Sequence, residues 1–219
     1  MRDLEKQKLH TIKNLEREGR LKTLEIKKAM LKVKRELFVL PEYKEDAWLD
    51  TPLPIVGNAT ISAPHMYAIM LEAVKPKKGE KVLEIGAGSG YGAALLRELV
   101  GKRGKVITIE IVPEVCEFAR RNLRKAGYRD VKVICGDGSL GYEKEAPYDV
   151  IISTAACPEI PRTWIKQLKV GGRLISPVGG IYSGQDLIYM EKKRGGKLKI
   201  ENLGPVIFLP LKGRFGFRF

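Results

Sequence analysis

Four short runs in this 219-residue chain combine residue types that can do chemistry. Glu84-Ile85-Gly86-Ala87-Gly88-Ser89-Gly90 joins an acid to alternating glycines, which let a backbone approach a bound molecule closely. Glu110 follows that loop by about 20 residues, the spacing at which an acid accepts hydrogen bonds from ribose hydroxyls. Gly136-Asp137-Gly138 offers a carboxylate for an adenine amino group, with glycine leaving room for the ring. The fourth run, Asn58-Ala59-Thr60-Ile61-Ser62-Ala63-Pro64-His65-Met66, sets two hydroxyls just before a helix start. There Ser62 reads either as an N-cap or as a contact for a polar substrate.

These runs need a frame, and from Lys81 onward the pattern supplies one. Strands are predicted over 81–85, 105–109, 131–135, 149–153 and 172–176. Helices are predicted over 91–100, 113–126 (closed by Gly127) and 162–168, with a terminal hairpin of 185–192 and 197–208 around Gly195-Gly196. Repeated βα units imply an α/β fold: a doubly wound, mainly parallel sheet with right-handed crossovers, edged here by antiparallel strands. Ligands bind such sheets beyond the carboxyl ends of the strands, where the first three runs fall.

Upstream, 4–18 and 23–36 read as basic amphipathic helices. Leu9, Ile12 and Leu15 form one stripe, Leu24, Met30 and Val33 are apolar in the second helix, and Thr23 is its cap. They are expected to form a cap on the main sheet rather than a membrane-surface or calmodulin-type target. Residues 38–54 look irregular, and 65–74 helical behind Pro64. The expected organisation is a single domain, with a helical cap over 1–50, a substrate-loop segment over 51–80 and the cofactor sheet over 81–219.

Lys and Arg total 40 against 26 acids, a net charge of +14 that attracts anions, nucleic acid among them. The same mixture suits surface ion-pair networks. No apolar run approaches the roughly 20 residues of a membrane span, and the charged start Met1-Arg2-Asp3 is unlike a signal peptide. A cytoplasmic monomer without membrane association is expected. Cys116, Cys135 and Cys157 read as free, mostly buried thiols. With only His10 and His65 beside them, no metal site is expected.

The dinucleotide fingerprint G-x-G-x-x-G/A fits poorly: counted from Gly86 the third glycine comes one residue early, and the frame from Gly88 starts too far past the strand. Glu-x-Gly-x-Gly-x-Gly instead resembles the first motif of class I methyltransferases. That implies S-adenosylmethionine as cofactor, S-adenosylhomocysteine as product and Glu84 organising the methionine end. Thr154-Ala155-Ala156-Cys157-Pro158 lacks the N-P-P-Y-like tetrapeptide of adenine-N6 enzymes and reverses the Pro-Cys of cytosine-C5 enzymes.

Thr60-Ile61-Ser62-Ala63-Pro64-His65-Met66, Val82 through Tyr91, Gly136-Asp137-Gly138, Pro147-Tyr148-Asp149-Val150-Ile151, Ile160-Pro161 and Gln167 through Leu174 together resemble the protein-L-isoaspartate (D-aspartate) O-methyltransferase family. The resemblance implies methylation of the α-carboxylate of L-isoaspartyl residues in damaged proteins and peptides, starting repair through a succinimide. It implies a catalytic role for Ser62 and substrate contacts from Thr60, Ile61, Ser62 and Ala63. It also implies cofactor contacts from Glu84, Gly86, Ala87, Gly88, Ser89, Glu110, Asp137 and Gly138. The chemistry agrees, because a carboxylate of ordinary pKa near 4 is ionised at neutral pH and needs no general base.

Asn58-Ala59 stands where the family usually has Gly-Gln, and the tail Lys212–Phe219 interleaves basic and aromatic residues. Such a tail can stack on single-stranded nucleic acid, although packing of a terminal segment is the plainer reading. Two alternatives stay open at this level: an RNA methyltransferase, and a cofactor-binding relative weakened in catalysis.

Overall fold

The run Lys81–Ile85 (β3) is buried along nearly its whole length, as a strand covered on both faces must be. A computed structural model describes residues 3–181 and 183–218. In it β3 pairs in parallel with Lys105–Glu110 (β4) and with Tyr148–Ser153 (β6). Lys132–Cys135 (β5) extends the sheet beyond β4, while Leu168–Gly179 (β7), Gln185–Lys192 (β8) and Leu198–Val206 (β9) extend it beyond β6. The order β5-β4-β3-β6-β7-β8-β9 reverses direction between β3 and β6, which makes the switch point there. β8 pairs antiparallel with both β7 and β9, so the expected antiparallel edge is present.

Helices Tyr91–Val100 (α4) and Pro113–Lys125 (α5) follow β3 and β4, and Arg162–Gln167 (α6) precedes β7. α4 is almost wholly buried, since Leu4–Arg17 (α1), Leu24–Lys32 (α2) and Pro64–Val74 (α3) wrap its side of the sheet. The cap thus packs chiefly through α3 and α4, not directly on the strands as expected.

Its faces also differ from the expected ones. Leu9 and Leu24 are more than half exposed, while Lys8, Thr11, Ile12 and Leu15 turn inward from α1. Thr23 makes no cap bond, because its hydroxyl donates to Glu72 at 2.7 Å. α2 stops at Lys32, four residues early. Val33 and Lys34 are extended, and Arg35–Leu37 forms a 3-10 turn that sends the Arg35 side chain into the interior.

The irregular stretch contains a 3-10 helix, Pro41–Asp46, and ends on Leu53–Pro54 (β1), which pairs with Thr60–Ile61 (β2) in a small hairpin. β7 begins four residues before its predicted start, with a register shift against β6 between Tyr148 and Val150. Cys116 and Cys135 are not free thiols: they form a disulfide. The buried face of α5 lies against the end of β5, which brings their Cα atoms to 5.7 Å, within bridging range. Cys157 is free and buried. Met1 and Arg2 lie outside the described residues, and none of the described helices is long and apolar enough to cross a membrane.

Candidate active site

Beyond the carboxyl ends of β3, β4 and β6 lies a cavity of about 610 Å³. Its floor begins at Gly86, which takes φ 88°, a conformation open to glycine. A Cβ there would sit 2.5 Å from Thr154 Oγ1, whose hydroxyl donates to the Gly86 carbonyl at 2.7 Å. The Gly86 and Ala87 amides both donate to the Ile109 carbonyl, which locks the loop to β4. Gly90 (φ 88°) then turns the chain into α4.

Glu110 projects into the same cavity, where Oε2 accepts from the Gly88 amide at 3.0 Å and Oε1 from Val112 at 3.1 Å. The carboxylate is therefore fixed in place and keeps lone pairs free for hydroxyl donors. Gly138 forms another wall, where any side chain would collide with Ile85. α6 pins this wall: Trp164 Nε1 donates to Gly138 O and Thr163 Oγ1 to Ser139 O, both at 2.9 Å.

Of the sequence-predicted cofactor residues, Gly86, Gly88, Glu110 and Gly138 line the cavity, whereas Glu84, Ala87, Ser89 and Asp137 stand behind its surface. Glu84 is only 1% exposed and its Oε2 accepts from Thr108 Oγ1 at 2.6 Å. Burial, helped by the nearby Glu110 charge and opposed by the Thr108 bond, pushes its carboxyl up to about 8. Ser89 is buried and supports the turn, with Oγ accepting from Tyr91 N and its carbonyl from Asn122 Nδ2. Asp137 Oδ1 accepts from Ser139 N and Oγ, and Oδ2 from Arg214 N at 2.8 Å.

The roof comes from the β1–β2 hairpin. Its turn passes through Gly57 (φ 67°) and Asn58 (φ 54°), and Gly57 through Thr60 line the cavity. A Cβ on Gly57 would meet Val115 Cγ2 at 2.6 Å, so glycine lets the turn close down on α5. Thr60 is exposed and lines the cavity, Ile61 is buried, and Ser62, just past the strand, is partly exposed but is not one of the lining residues. Ile61 and Ala63 are buried and anchor the segment.

Ser62 is not the cap of α3, for that position is Ala63 and it makes no side-chain cap bond. Asp50 serves instead: its Oδ1 accepts from the His65 amide at 2.8 Å and lies 2.9 Å from His65 Nδ1. Burial opposes ionisation of Asp50, but these bonds prevail and hold its carboxyl below the usual range. Ser62 is held from behind. Arg35, fully buried, donates from Nη2 to the Ser62 carbonyl at 2.8 Å and from Nε to Ala47 O at 2.6 Å. Its guanidinium lies 5.0 Å from the Tyr91 ring centroid, and no carboxylate among the described residues forms a salt bridge with it. Tyr67, with a phenol raised by burial, stands near the Ser62 side chain.

Sequence reading missed Arg35, Asn58 as part of the roof, Thr154 as part of the floor, and the wall built by Leu209–Lys212. That last segment runs beside Ala156, whose amide donates to Leu209 O at 2.8 Å while Leu211 N donates back to Ala156 O at 2.7 Å. The tail then folds on itself and on the Asp137 loop, with Phe215 N donating to Ser139 Oγ and Phe217 N to Leu211 O. Phe219 lies outside the described residues.

Apolar walls, glycine clearances and one fixed carboxylate fit an adenosyl group, and comparison with known proteins agrees. The protein-L-isoaspartate (D-aspartate) O-methyltransferase family model matches residues 5–216. The chain belongs to this family. A protein-L-isoaspartate O-methyltransferase of Pyrococcus abyssi is 50% identical over 216 residues, covering 99% of both chains. The protein-L-isoaspartate O-methyltransferase 2 of Archaeoglobus fulgidus is 55% identical over 190 residues, covering 87% of this chain and 86% of that protein. A solved protein-L-isoaspartate O-methyltransferase superposes with a TM-score of 0.87 at 34% identity, covering 95% of this chain and 67% of that one. A Plasmodium falciparum structure of the same description, in complex with S-adenosyl-L-homocysteine, gives 0.83 at 28% identity and covers 93% of this chain and 97% of that one. The chain is thus an O-methyltransferase with the Rossmann-like α/β fold of its family.

Proposed function

We propose that this enzyme methylates the α-carboxylate of L-isoaspartyl residues in damaged proteins and peptides, with S-adenosylmethionine as donor. The observation that carries the reading is the placement of the Thr60–Ser62 edge, backed by the buried Arg35 cation, beside a pocket suited to an adenosyl group. S-adenosylmethionine supplies an electrophilic methyl group on a sulfonium. Glu110 would accept from the ribose hydroxyls, Gly138 would leave space for the adenine, and Gly86 and Gly88 would let the backbone pass close to the methionine portion. Asp137, already carrying three donors, supports this wall as much as it contacts a ligand.

The acceptor arrives ionised, so the protein's task is alignment and desolvation rather than proton removal. Ser62 Oγ–H would donate to one carboxylate oxygen and leave the other free to accept the methyl, with Thr60 close by in the chain. The Arg35 charge favours an anion at this mouth. Bound in its pocket, the donor would supply its methyl to the carboxylate oxygen with loss of its sulfur–carbon bond, giving a neutral ester and a neutral thioether. The enzyme acts as a cytoplasmic monomer, its single domain combining the cap, the substrate loop and the cofactor sheet.

The deciding experiment offers an isoaspartyl peptide and its aspartyl counterpart with labelled S-adenosylmethionine. Base-labile label on the isoaspartyl peptide alone is expected. Equal labelling of both would remove the specificity, and alkali-stable label on RNA would replace the reading altogether.

A further inference from the structure

Of the chain's seven aspartates and four asparagines, Asp137 alone is followed by glycine. A residue after Asp or Asn hinders backbone attack on the side chain in proportion to its bulk, so Asp-Gly is the sequence most open to succinimide formation. Neither partner here is easily exchanged. Gly138 is buried, lines the pocket and has no room for a Cβ, which would lie 2.8 Å from Ile85 Cγ2. Asp137 is the acceptor for three separate donors.

We propose that the C-terminal tail is a latch that keeps Asp137-Gly138 from isomerising, so that the enzyme shields its own cofactor wall from isoaspartyl damage. Ring closure requires the Gly138 nitrogen to attack Asp137 Cγ: a nitrogen–carbon bond forms, a carboxyl carbon–oxygen bond breaks, and one water leaves. Hydrolysis of the ring returns that water and yields aspartate or isoaspartate. The attack needs the carboxyl to swing over its own following amide. Here it is held from both sides, Oδ1 by Ser139 N and Oγ and Oδ2 by Arg214 N, on backbone at φ −76° and ψ 101°.

The tail reaches this position only because residue 213 is glycine. A Cβ at Gly213 (φ 117°) would stand 2.0 Å from Asp137 Oδ1. Phe215 N donates to Ser139 Oγ at 3.0 Å, so a single serine hydroxyl joins tail and carboxylate. Damage inside a folded protein proceeds through local opening, and the rate follows the stability of the contacts that must break.

The test ages the full-length protein at elevated temperature without methyl donor, which keeps the result independent of the proposed activity. Isoaspartate at position 137 is quantified by electron-transfer fragmentation, beside a short peptide containing Gly-Asp-Gly-Ser. The folded wild type is expected to isomerise at least about tenfold more slowly than the peptide, and Gly213→Ala to recover most of the peptide's rate. Ser139→Ala provides a second, milder break of the latch, and circular dichroism confirms that each variant is folded. Wild type ageing at the peptide's rate, or both folded variants ageing at the wild-type rate, would overturn the latch.

Discussion

The Arg35 guanidinium and the Ser62 carbonyl are joined by a 2.8 Å hydrogen bond across 27 residues, which ties the turn after α2 to the acceptor edge. A buried cation that also bonds Ala47 O cannot shift without moving the segment that carries the Ser62 hydroxyl. Arg35→Lys keeps the charge but loses the planar fork. Turnover should fall about tenfold with cofactor affinity nearly unchanged, since misplacement near reacting atoms costs rate before binding. A selective loss of cofactor binding, measured by calorimetry, would show that Arg35 serves another part of the site.

Ser62→Ala should lower kcat by roughly 10- to 100-fold, the loss expected when an orienting hydrogen bond disappears. Because Asp50 holds the start of α3, the melting temperature should scarcely change. Unchanged turnover on an isoaspartyl peptide would leave the hydroxyl without a role.

Glu110→Ala removes the acceptor for the Gly88 and Val112 amides and the carboxylate proposed to receive the ribose hydroxyls. Cofactor affinity is expected to fall by about 100-fold, as two or more charge-assisted hydrogen bonds are lost. Titration of S-adenosylhomocysteine into the two proteins measures this directly; equal affinities would remove Glu110 from the site.

Glu84 gives a pH signature. Its folded carboxyl titrates at about 8, above the ordinary 4.5, so the folded chain holds a proton that an unfolded chain releases. Stability from this group is present at and below the ordinary value and is lost as pH rises toward 8. Glu84→Gln, which mimics the protonated form, should flatten the fall in melting temperature across that window. Parallel curves for variant and wild type would mean that Glu84 is already ionised at neutral pH.

The Cys116–Cys135 bridge closes a loop with a sequence separation of 19. Constraining an unfolded loop of this size contributes about 3 kcal/mol. A strong reductant, or the pair Cys116→Ser and Cys135→Ser, should therefore lower the melting temperature by several degrees. No change on reduction would show that packing alone holds α5 against β5.

The alternating sheet was legible because apolar runs such as Lys81–Ile85 and glycine turns such as Gly86–Gly90 are local signals. The acid at the end of β4 was legible for the same reason, its distance along the chain being set by one βα unit. Arg35 was not, since one arginine in a basic stretch carries no mark of burial. The disulfide was hidden likewise, because Cys116 and Cys135 meet only when α5 folds back beside β5. The wall of Leu209–Lys212 depends on a parallel bridge between Ala156 and Pro210, a tertiary contact without a sequence pattern. Leu9 and Leu24 were misplaced because helical periodicity locates an apolar face without saying which neighbour covers it.

The cap of α3 has a consequence for how this enzyme can be altered. Asp50, well upstream of the loop, bonds both the backbone and the ring of His65. Helix initiation and the proposed carboxylate contact thus fall to different residues. Asn58, Ala59, Thr60 and Ser62 can consequently be varied without removing the cap of the helix behind them, provided that the buried anchor Ile61 is retained. A library randomised at those four positions, with Asp50, Arg35 and Ile61 kept, is the place to look for acceptance of other carboxylates.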